Sequence, residues 1–99
     1  MSNSSDVTKP EKHKFMLFVL GMSVKSGHAI ENLRKICDKY LADNFELEII
    51  DISRDKEQAV IHQIVAIPTL IKIGPEPRRI ILGDLSDREK VLQILNLTE

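Results

Sequence analysis

The first half of the chain alternates between the hydrophobic patterns of strands and of a helix. A continuous apolar run closed by glycine, His13 to Gly21, is typical of a strand buried on both faces. After a predicted loop at 22–27, apolar residues recur every three or four positions from Ala29 to Leu41, which predicts an amphipathic helix of about 16 residues. Residues 47–52 predict a second strand. Strand, helix and strand together predict a right-handed βαβ unit.

The next segment predicts a short second helix. Ser53 and Asp55 are candidate N-caps for a helix that reaches about residue 64. We expect three of its side chains to face inward, namely Val60, Ile61 and Ile64. Pro68 ends this helix, because a proline disfavours the helical conformation of the preceding residue.

The last third predicts a hairpin and a final helix. Two apolar segments, 70–73 and 79–82, flank a turn-rich linker at 74–77, which favours an antiparallel connection. Ser86 and Glu89 have the spacing of a capping box, so a helix should run from Asp87 to about residue 97. Its buried residues should be Val91, Leu92 and Leu95. The element order is therefore βαβαββα.

This order predicts an α/β protein with a mixed sheet of the thioredoxin-like kind. The chain has 99 residues, of which 42% are hydrophobic, enough for one core and too few for two stable domains. We interpret residues 1–13 as a disordered N-terminal tail and residues 14–99 as one domain.

The charge balance and the apolar runs exclude several classes of partner. Fourteen basic and fifteen acidic side chains leave a net charge of -1, so no overall field attracts nucleic acid or an anionic membrane. The apolar runs are too short for a transmembrane helix, and the polar N-terminus lacks the apolar region of a signal peptide. With a single cysteine, which cannot form an internal disulfide, we expect a cytoplasmic protein.

The first βα loop is where this fold would carry redox chemistry, yet residues 21–27 contain no Cys-x-x-Cys pair. The only cysteine, Cys37, lies on the apolar stripe of the predicted helix, which favours a buried structural role. An enzyme with residual thiol chemistry at Cys37, for instance in peroxide defence, is the competing hypothesis. Replacing Cys37 with serine would separate the two, because only an enzyme would lose activity.

No other group of residues predicts catalysis or a cofactor. The three histidines are dispersed without metal-ligand spacing. Ser23 and Ser26 beside Lys25 are better explained by helix capping than by a serine nucleophile. Acidic residues at 51, 55 and 57 fit a charged strand end and helix start better than a metal site. We therefore expect no enzyme activity, no cofactor and no metal.

Several segments between roughly residues 14 and 97 form a set that is more specific than the fold itself. The most specific of them is the stretch Gly83-Asp-Leu-Ser-Asp-Arg-Glu-Lys-Val91. The other segments are Phe18-Val-Leu-Gly21, Glu48-Ile-Ile-Asp51, Ala66-Ile-Pro-Thr-Leu70, and Pro75-Glu-Pro77 with Arg79. In these segments the chain resembles the KaiB family, the small clock proteins of cyanobacteria and their relatives in other bacteria.

The resemblance implies a non-enzymatic regulator that binds KaiC, a ring-shaped RecA-type ATPase. Such a regulator modulates the phosphorylation or the ATPase timing of KaiC, or it serves a related stress or signalling role. It also implies two folds for one sequence: a thioredoxin-like state that binds the partner, and a resting homo-oligomer, dimer or tetramer, with the order βαββααβ. The alternative is a stand-alone thioredoxin-like sensor or adaptor that resembles the input domain of clock-linked histidine kinases.

Two sets of candidate residues follow from this reading. Four basic residues are candidate contacts to an acidic partner face, namely Lys25, Lys56, Arg78 and Arg79. Gly83, Asp84 and Asp87 belong to the most specific motif and are expected to shape the turn and cap that decide between the folds. Pro68 completes this fold-determining set. An arbitrary proline favours a trans peptide bond, but the resemblance makes Pro68 a candidate cis proline.

Overall fold

The computed structural model describes residues 11–97 and has the predicted order of elements. Three helices and four strands follow one another as β1 (His13–Val19), α1 (Val24–Tyr40), β2 (Phe45–Asp51), α2 (Lys56–Ile61), β3 (Thr69–Gly74), β4 (Arg79–Leu82) and α3 (Arg88–Ile94). The thioredoxin-like order βαβαββα is therefore confirmed.

The strands form one mixed sheet in the order β2-β1-β3-β4. β1 and β2 are parallel, as the βαβ unit requires, and Phe18 lies opposite Ile50. β3 runs antiparallel to β1 and to β4, and Thr69 lies between Phe18 on one side and Leu82 on the other. The hairpin predicted from the segments at 70–73 and 79–82 is confirmed.

Each face of the sheet carries its own apolar cluster. The larger cluster joins β1 residues such as Leu17 to the inner sides of α1 and α3, where Leu33 and Val91 are buried. The smaller cluster, on the other face, consists of Phe18, Ile50 and Ile71 with partly buried neighbours. Fully burying a side chain of this size stabilises the fold by about 1.5–3 kcal/mol, so the α1 and α3 face supplies most of the core.

α1 begins five residues before the predicted apolar periodicity. The predicted loop at 22–27 is wrong from Val24 onward, because Ser23 is the N-cap and accepts a hydrogen bond from the Ser26 backbone. Most of the first turn is exposed, so its sequence lacks an apolar stripe that would reveal the helix.

α2 is shorter than predicted, and two side chains that were expected to face inward point to solvent. It starts at the Asp55 cap rather than at Ser53 and ends at Ile61 instead of reaching residue 64. Val60 and Ile61, expected to be buried, are exposed. Ile64, which lies beyond the end of the helix, is partly buried against the smaller cluster, in the predicted direction. His62 follows and packs its ring on Phe18 at 5.5 Å between ring centroids, so part of the cover of the smaller cluster comes from a residue just after the helix.

The remaining boundaries differ by a few residues. β1 starts at His13, so the domain begins before residue 14, while residues 1–10 of the predicted tail lie outside the described residues. β1 ends at Val19. Asp87, not Ser86, caps α3, and its carboxylate accepts from the Lys90 backbone. The predicted burial of the inner face of α3 is confirmed for Val91, Leu92 and Leu95.

Candidate functional site at the loop end of the sheet

Three connecting segments meet at one end of the sheet. The β1–α1 loop (20–23) follows β1, the segment 66–68 precedes β3, and the turn 83–85 follows β4. Because Phe18, Thr69 and Leu82 lie side by side in neighbouring strands, these segments share the same end, which we call the loop end. In a fold of this kind the loop end is where ligands and partners are commonly bound.

The β1–α1 loop is held by side chains that accept backbone hydrogen bonds. Gly21 donates its N–H to Asp51 Oδ1 at 2.9 Å, and Leu20 donates to Ser26 Oγ at 3.0 Å. The same Asp51 oxygen accepts from the hydroxyl and the backbone of Ser53, at 2.7 and 3.0 Å. The Ser53 hydroxyl, followed by the Gly21 and Ser53 backbones, holds the pKa of Asp51 below its usual value. Asp51 is thus an anchor of the loop.

The segment before β3 is joined to the turn after β4. The Ile67–Pro68 peptide bond is cis, as the family resemblance implied. The Pro68 carbonyl accepts from the Gly83 N–H at 2.9 Å, and the Thr69 hydroxyl donates to the Ala66 carbonyl at 2.6 Å. The Gly83–Pro68 bond continues the β3–β4 ladder into the loop end and joins the two segments, while the Thr69–Ala66 bond holds the segment before β3.

The turn at 83–85 is also tied to α1. Gly83 has φ +105°, a backbone conformation that favours glycine. Asn32 of α1 donates its side-chain amide to the Asp84 carbonyl at 2.9 Å. The pKa of Asp84 is lowered, first by hydrogen bonds from Ser86 and then by the positive charge of His28 and of Lys25. Lys25 therefore lies close enough to this turn to act on Asp84 electrostatically.

The predicted fold-determining residues all have structural roles here. Pro68 and Gly83 share a backbone hydrogen bond, Asp84 holds the turn through Ser86, and Asp87 caps α3 with a contact of 3.2 Å to the Lys90 N–H. That these residues decide between two folds stays a prediction.

The four predicted basic contacts form two separate pairs. Lys25 is in the first turn of α1 and Lys56 begins α2, so both are exposed at the loop end. Arg78 and Arg79 follow the far end of β3, which is about 17 Å away along a six-residue strand. A partner would have to span the sheet to contact both pairs.

A set of exposed apolar side chains near Lys25 and Lys56 was not among the residues predicted from the sequence. They are between 65% and 100% exposed and comprise Met22, Val24, Val60, Ile61 and Val65. On α2, Val60 and Ile61 line a shallow depression of about 300 Å³ together with Lys56 and Glu57. The sequence pattern offers no signal for Val60 and Ile61, because the early end of α2 is seen only in the structure; a helix of six residues cannot turn all of its apolar positions inward.

The loop end carries no thiol. Cys37 is fully buried, and burial raises the pKa of its thiol to about 12. It lies 13 residues beyond Val24, about 20 Å along α1 at the usual helical rise. The predicted structural role of Cys37 in the core agrees with this position.

Two further features are absent from residues 11–97. No three His, Cys, Asp or Glu side chains in this range come together in a way that could hold a metal ion. None of its helices combines the length and the apolar character needed to cross a membrane.

Comparison with known proteins assigns the same region to one family. The family model for the KaiB domain matches residues 16–97. The circadian clock protein KaiB3 of Synechocystis is 42% identical over 81 residues, which are 82% of this chain and 79% of that protein. The circadian clock oscillator protein KaiB of Prochlorococcus marinus is 43% identical over 81 residues, covering 82% of this chain and 77% of its own length.

Solved structures show the same fold. The N-terminal domain of SasA from Synechococcus elongatus superposes with a TM-score of 0.73 at 24% identity, covering 100% of this chain and 94% of that domain. Mitochondrial thioredoxin 3 from Saccharomyces cerevisiae gives a TM-score of 0.69 at 15% identity, covering 93% and 85% of the two chains. At these identities the likeness concerns the fold alone.

Proposed function

This chain belongs to the KaiB family, and we propose that it is a clock-type regulatory protein that binds a KaiC-type RecA-like ATPase and modulates its phosphorylation or ATPase timing. It acts by binding and catalyses no reaction. The observation that carries this proposal is the chemistry of the loop end, where exposed apolar side chains and two lysines occupy the place of a redox thiol pair.

The composition of the loop end suits a protein partner. Met22 and Val65 offer apolar area that becomes buried on association, at about 25 cal/mol per Å². Lys25 and Lys56 stand beside this area and favour a partner surface with acidic residues, because opposite charges steer the encounter and fix the orientation. An apolar centre with charged residues at its border is the usual anatomy of such interfaces.

The hydrogen bonds at the loop end reduce the entropy lost on binding. The loop is fixed by Asp51 and Ser26, and the Pro68 and Gly83 backbones are bonded to each other. A surface that is already ordered loses less conformational freedom when a partner docks. The same residues therefore link the fold of this end to its capacity to bind.

The test is complex formation with the KaiC-type ATPase of the same cell in the presence of ATP, followed by size-exclusion chromatography with light scattering. Lys25→Glu and Lys56→Glu should each weaken the complex by about tenfold, the effect of losing about 1.4 kcal/mol. Lys35→Glu is the matched control, since Lys35 is an exposed lysine two to three turns further along α1. Arg79→Glu asks separately whether the partner also reaches the far end of β3.

The outcome that contradicts the proposal is the absence of a complex after hours of incubation, long enough for a slow change of fold. An equal loss in Lys35→Glu would instead show a diffuse charge effect and would remove the loop end from the interface. The kinase-linked sensor is less favoured, because the SasA domain is similar only at the level of fold. If the protein were a thiol enzyme, Cys37→Ser would lose activity. The buried position of Cys37 argues against this alternative.

A further inference from the structure

A lysine lies buried on the core face of the sheet without a partner for its charge. Lys72, on β3, is 3% exposed. It lies on the face that α1 and α3 cover, because Leu70, two residues earlier in the strand, belongs to the larger cluster. Among residues 11–97, no carboxylate lies within ion-pair distance of the Lys72 ammonium, and no hydrogen bond reaches it. Burial of an unpaired charge is costly, so this position favours a counter-ion.

Two other nitrogen-bearing side chains lie next to Lys72. Arg79 of β4 is its direct partner in the antiparallel register, so the Cβ atoms of the two residues lie about 4.5–5.5 Å apart on the same face. On the other side, Lys72 pairs with Phe15 of β1, and His13 lies two residues before Phe15. The positive charge of Lys72 acts on the His13 ring. Three adjacent strands therefore bring a lysine, an arginine and a histidine together, at the end of the sheet opposite the loop end.

This basic cluster, made of Lys72, Arg79 and His13, is unfavourable without an anion. Like charges directly opposite each other in neighbouring strands destabilise a sheet. Burial and then the charge of Lys72 lower the pKa of His13, while Glu11 raises it to a smaller extent. His13 Nδ1 is shielded from solvent and has no hydrogen-bond partner in the described part of the chain. Nε2 is therefore the ring nitrogen that a ligand reaches from outside.

We propose that the basic cluster binds an oxyanion of the phosphate class, with the Lys72 ammonium at its base and Arg79 and His13 Nε2 at its border. Arg79 is exposed, and its planar guanidinium matches the spacing of two phosphate oxygens. A phosphoryl group carries a charge of about -1.5 to -2 at pH 7, which balances a lysine and an arginine. The site does not depend on the proposed ATPase partner, because Lys25 and Lys56 lie at the other end of the sheet.

The first test compares the melting temperature of the full chain in inorganic phosphate and in sodium chloride at equal ionic strength, so that general screening is the same. A ligand that binds only the folded state stabilises it increasingly as the ligand concentration exceeds the Kd. Phosphate should therefore raise the melting temperature progressively above the value in chloride. Glycerol 3-phosphate is the second probe: a stronger effect of the ester indicates an esterified phosphate as the ligand, and an equal or weaker effect indicates the free anion. Equal melting temperatures in all three salts would overturn the proposal.

Three variants locate the binding site. Lys72→Met should weaken phosphate binding by about tenfold or more, the effect of losing a hydrogen bond to a charged group. In chloride this variant should be at least as stable as the original protein, because an apolar side chain replaces an unpaired buried charge. Arg79→Gln changes an exposed residue and should also weaken binding, which keeps the proposal testable if Lys72→Met does not fold.

Lys14→Met is the matched control. Lys14 is an exposed lysine of β1 that lines a depression on the opposite face of the sheet, together with Met16. It removes the same charge without touching the basic cluster, so its response to phosphate should equal that of the original protein. An equal response of Lys72→Met and Lys14→Met would overturn the assignment of the site.

The second test follows the three histidines by NMR as the pH is varied. An anion beside His13 favours its protonated form, so phosphate should raise the pKa of His13 relative to chloride. His62 packs on Phe18 on the opposite face, and His28 lies on α1 near the loop end, so both are internal controls. Their titration should be the same in both salts. A His13 titration that phosphate leaves unchanged, or an equal change in all three histidines, would contradict binding at the basic cluster.

Discussion

Replacing Gly83 with alanine tests whether the backbone of the loop end is strained in the way that the structure indicates. Gly83 has φ +105°, whereas a Cβ built at this position would have no neighbour within 4 Å. The substitution therefore introduces no steric overlap with other residues. Its whole effect should come from forcing a non-glycine residue into an unfavourable backbone conformation or from breaking the bond to the Pro68 carbonyl.

The expected magnitude follows from two opposing contributions. A non-glycine residue in a sparsely populated backbone region costs about 1–3 kcal/mol. The loss of glycine's freedom in the unfolded chain returns about 0.4–1 kcal/mol. We therefore expect Gly83→Ala to lower the free energy of unfolding by about 1–2 kcal/mol, and the melting temperature of a domain of this size by about 4–8 °C for each kcal/mol.

Gly27 provides the matched control. It lies inside α1, is exposed, has no positive φ and likewise has no neighbour within 4 Å of a built Cβ. Gly27→Ala should therefore stabilise the protein by about 0.5–1 kcal/mol, because alanine is the better helix former. The same substitution should thus have opposite signs at the two sites.

The assay is urea unfolding followed by far-ultraviolet circular dichroism, which suits a chain without tryptophan. Unchanged stability of Gly83→Ala would refute the reasoning, since it would mean that the turn relaxes to another conformation without loss. A destabilised Gly27→Ala would show that the loss at either site reflects alanine itself and not the backbone angle.

Four further predictions concern single residues. Asp51→Asn should be destabilising at neutral pH, because the pKa of Asp51 is lowered in the folded protein. The stability that the ionised carboxylate contributes is present above the unfolded pKa of about 3.9 and disappears as the pH falls through the folded pKa. The urea unfolding curves of the variant and the original protein should therefore converge in acid. Asp87→Ala should cost about 1 kcal/mol of unfolding free energy through loss of the α3 cap. Leu33→Ala removes a fully buried side chain and should cost about 2–5 kcal/mol, measured by the same urea titration. Cys37 should react with a thiol reagent only after urea has unfolded the protein, because its thiol is buried and its pKa is about 12; rapid labelling of the native protein would contradict this.

The strand and helix order could be predicted because each element carries a pattern that depends on local sequence. The apolar run that forms β1, the three- and four-residue spacing in α1 and the turn residues between β3 and β4 each indicate one conformation. Buried residues of α3 were predicted for the same reason, since its inner face follows the helical period. Cys37 was placed correctly because it belongs to the stripe of α1 that the sheet covers.

The candidate site was only partly predictable. Lys25 and Lys56 could be proposed from the sequence, but their separation from Arg78 and Arg79 follows from the antiparallel direction of β3. The exposure of Val60 and Ile61 could not be predicted. Two neighbouring apolar residues on a short helix indicate burial, but the pattern does not show which other element would cover them.

Periodicity and residue type are local properties, and they are enough to set the fold class, the buried faces of α1 and α3 and the absence of thiol chemistry at the loop end. Local patterns do not set which apolar side chains remain uncovered or how far apart the two basic pairs lie. Those features depend on strand direction, register and the early end of α2, and each is set by contacts between residues far apart in the chain.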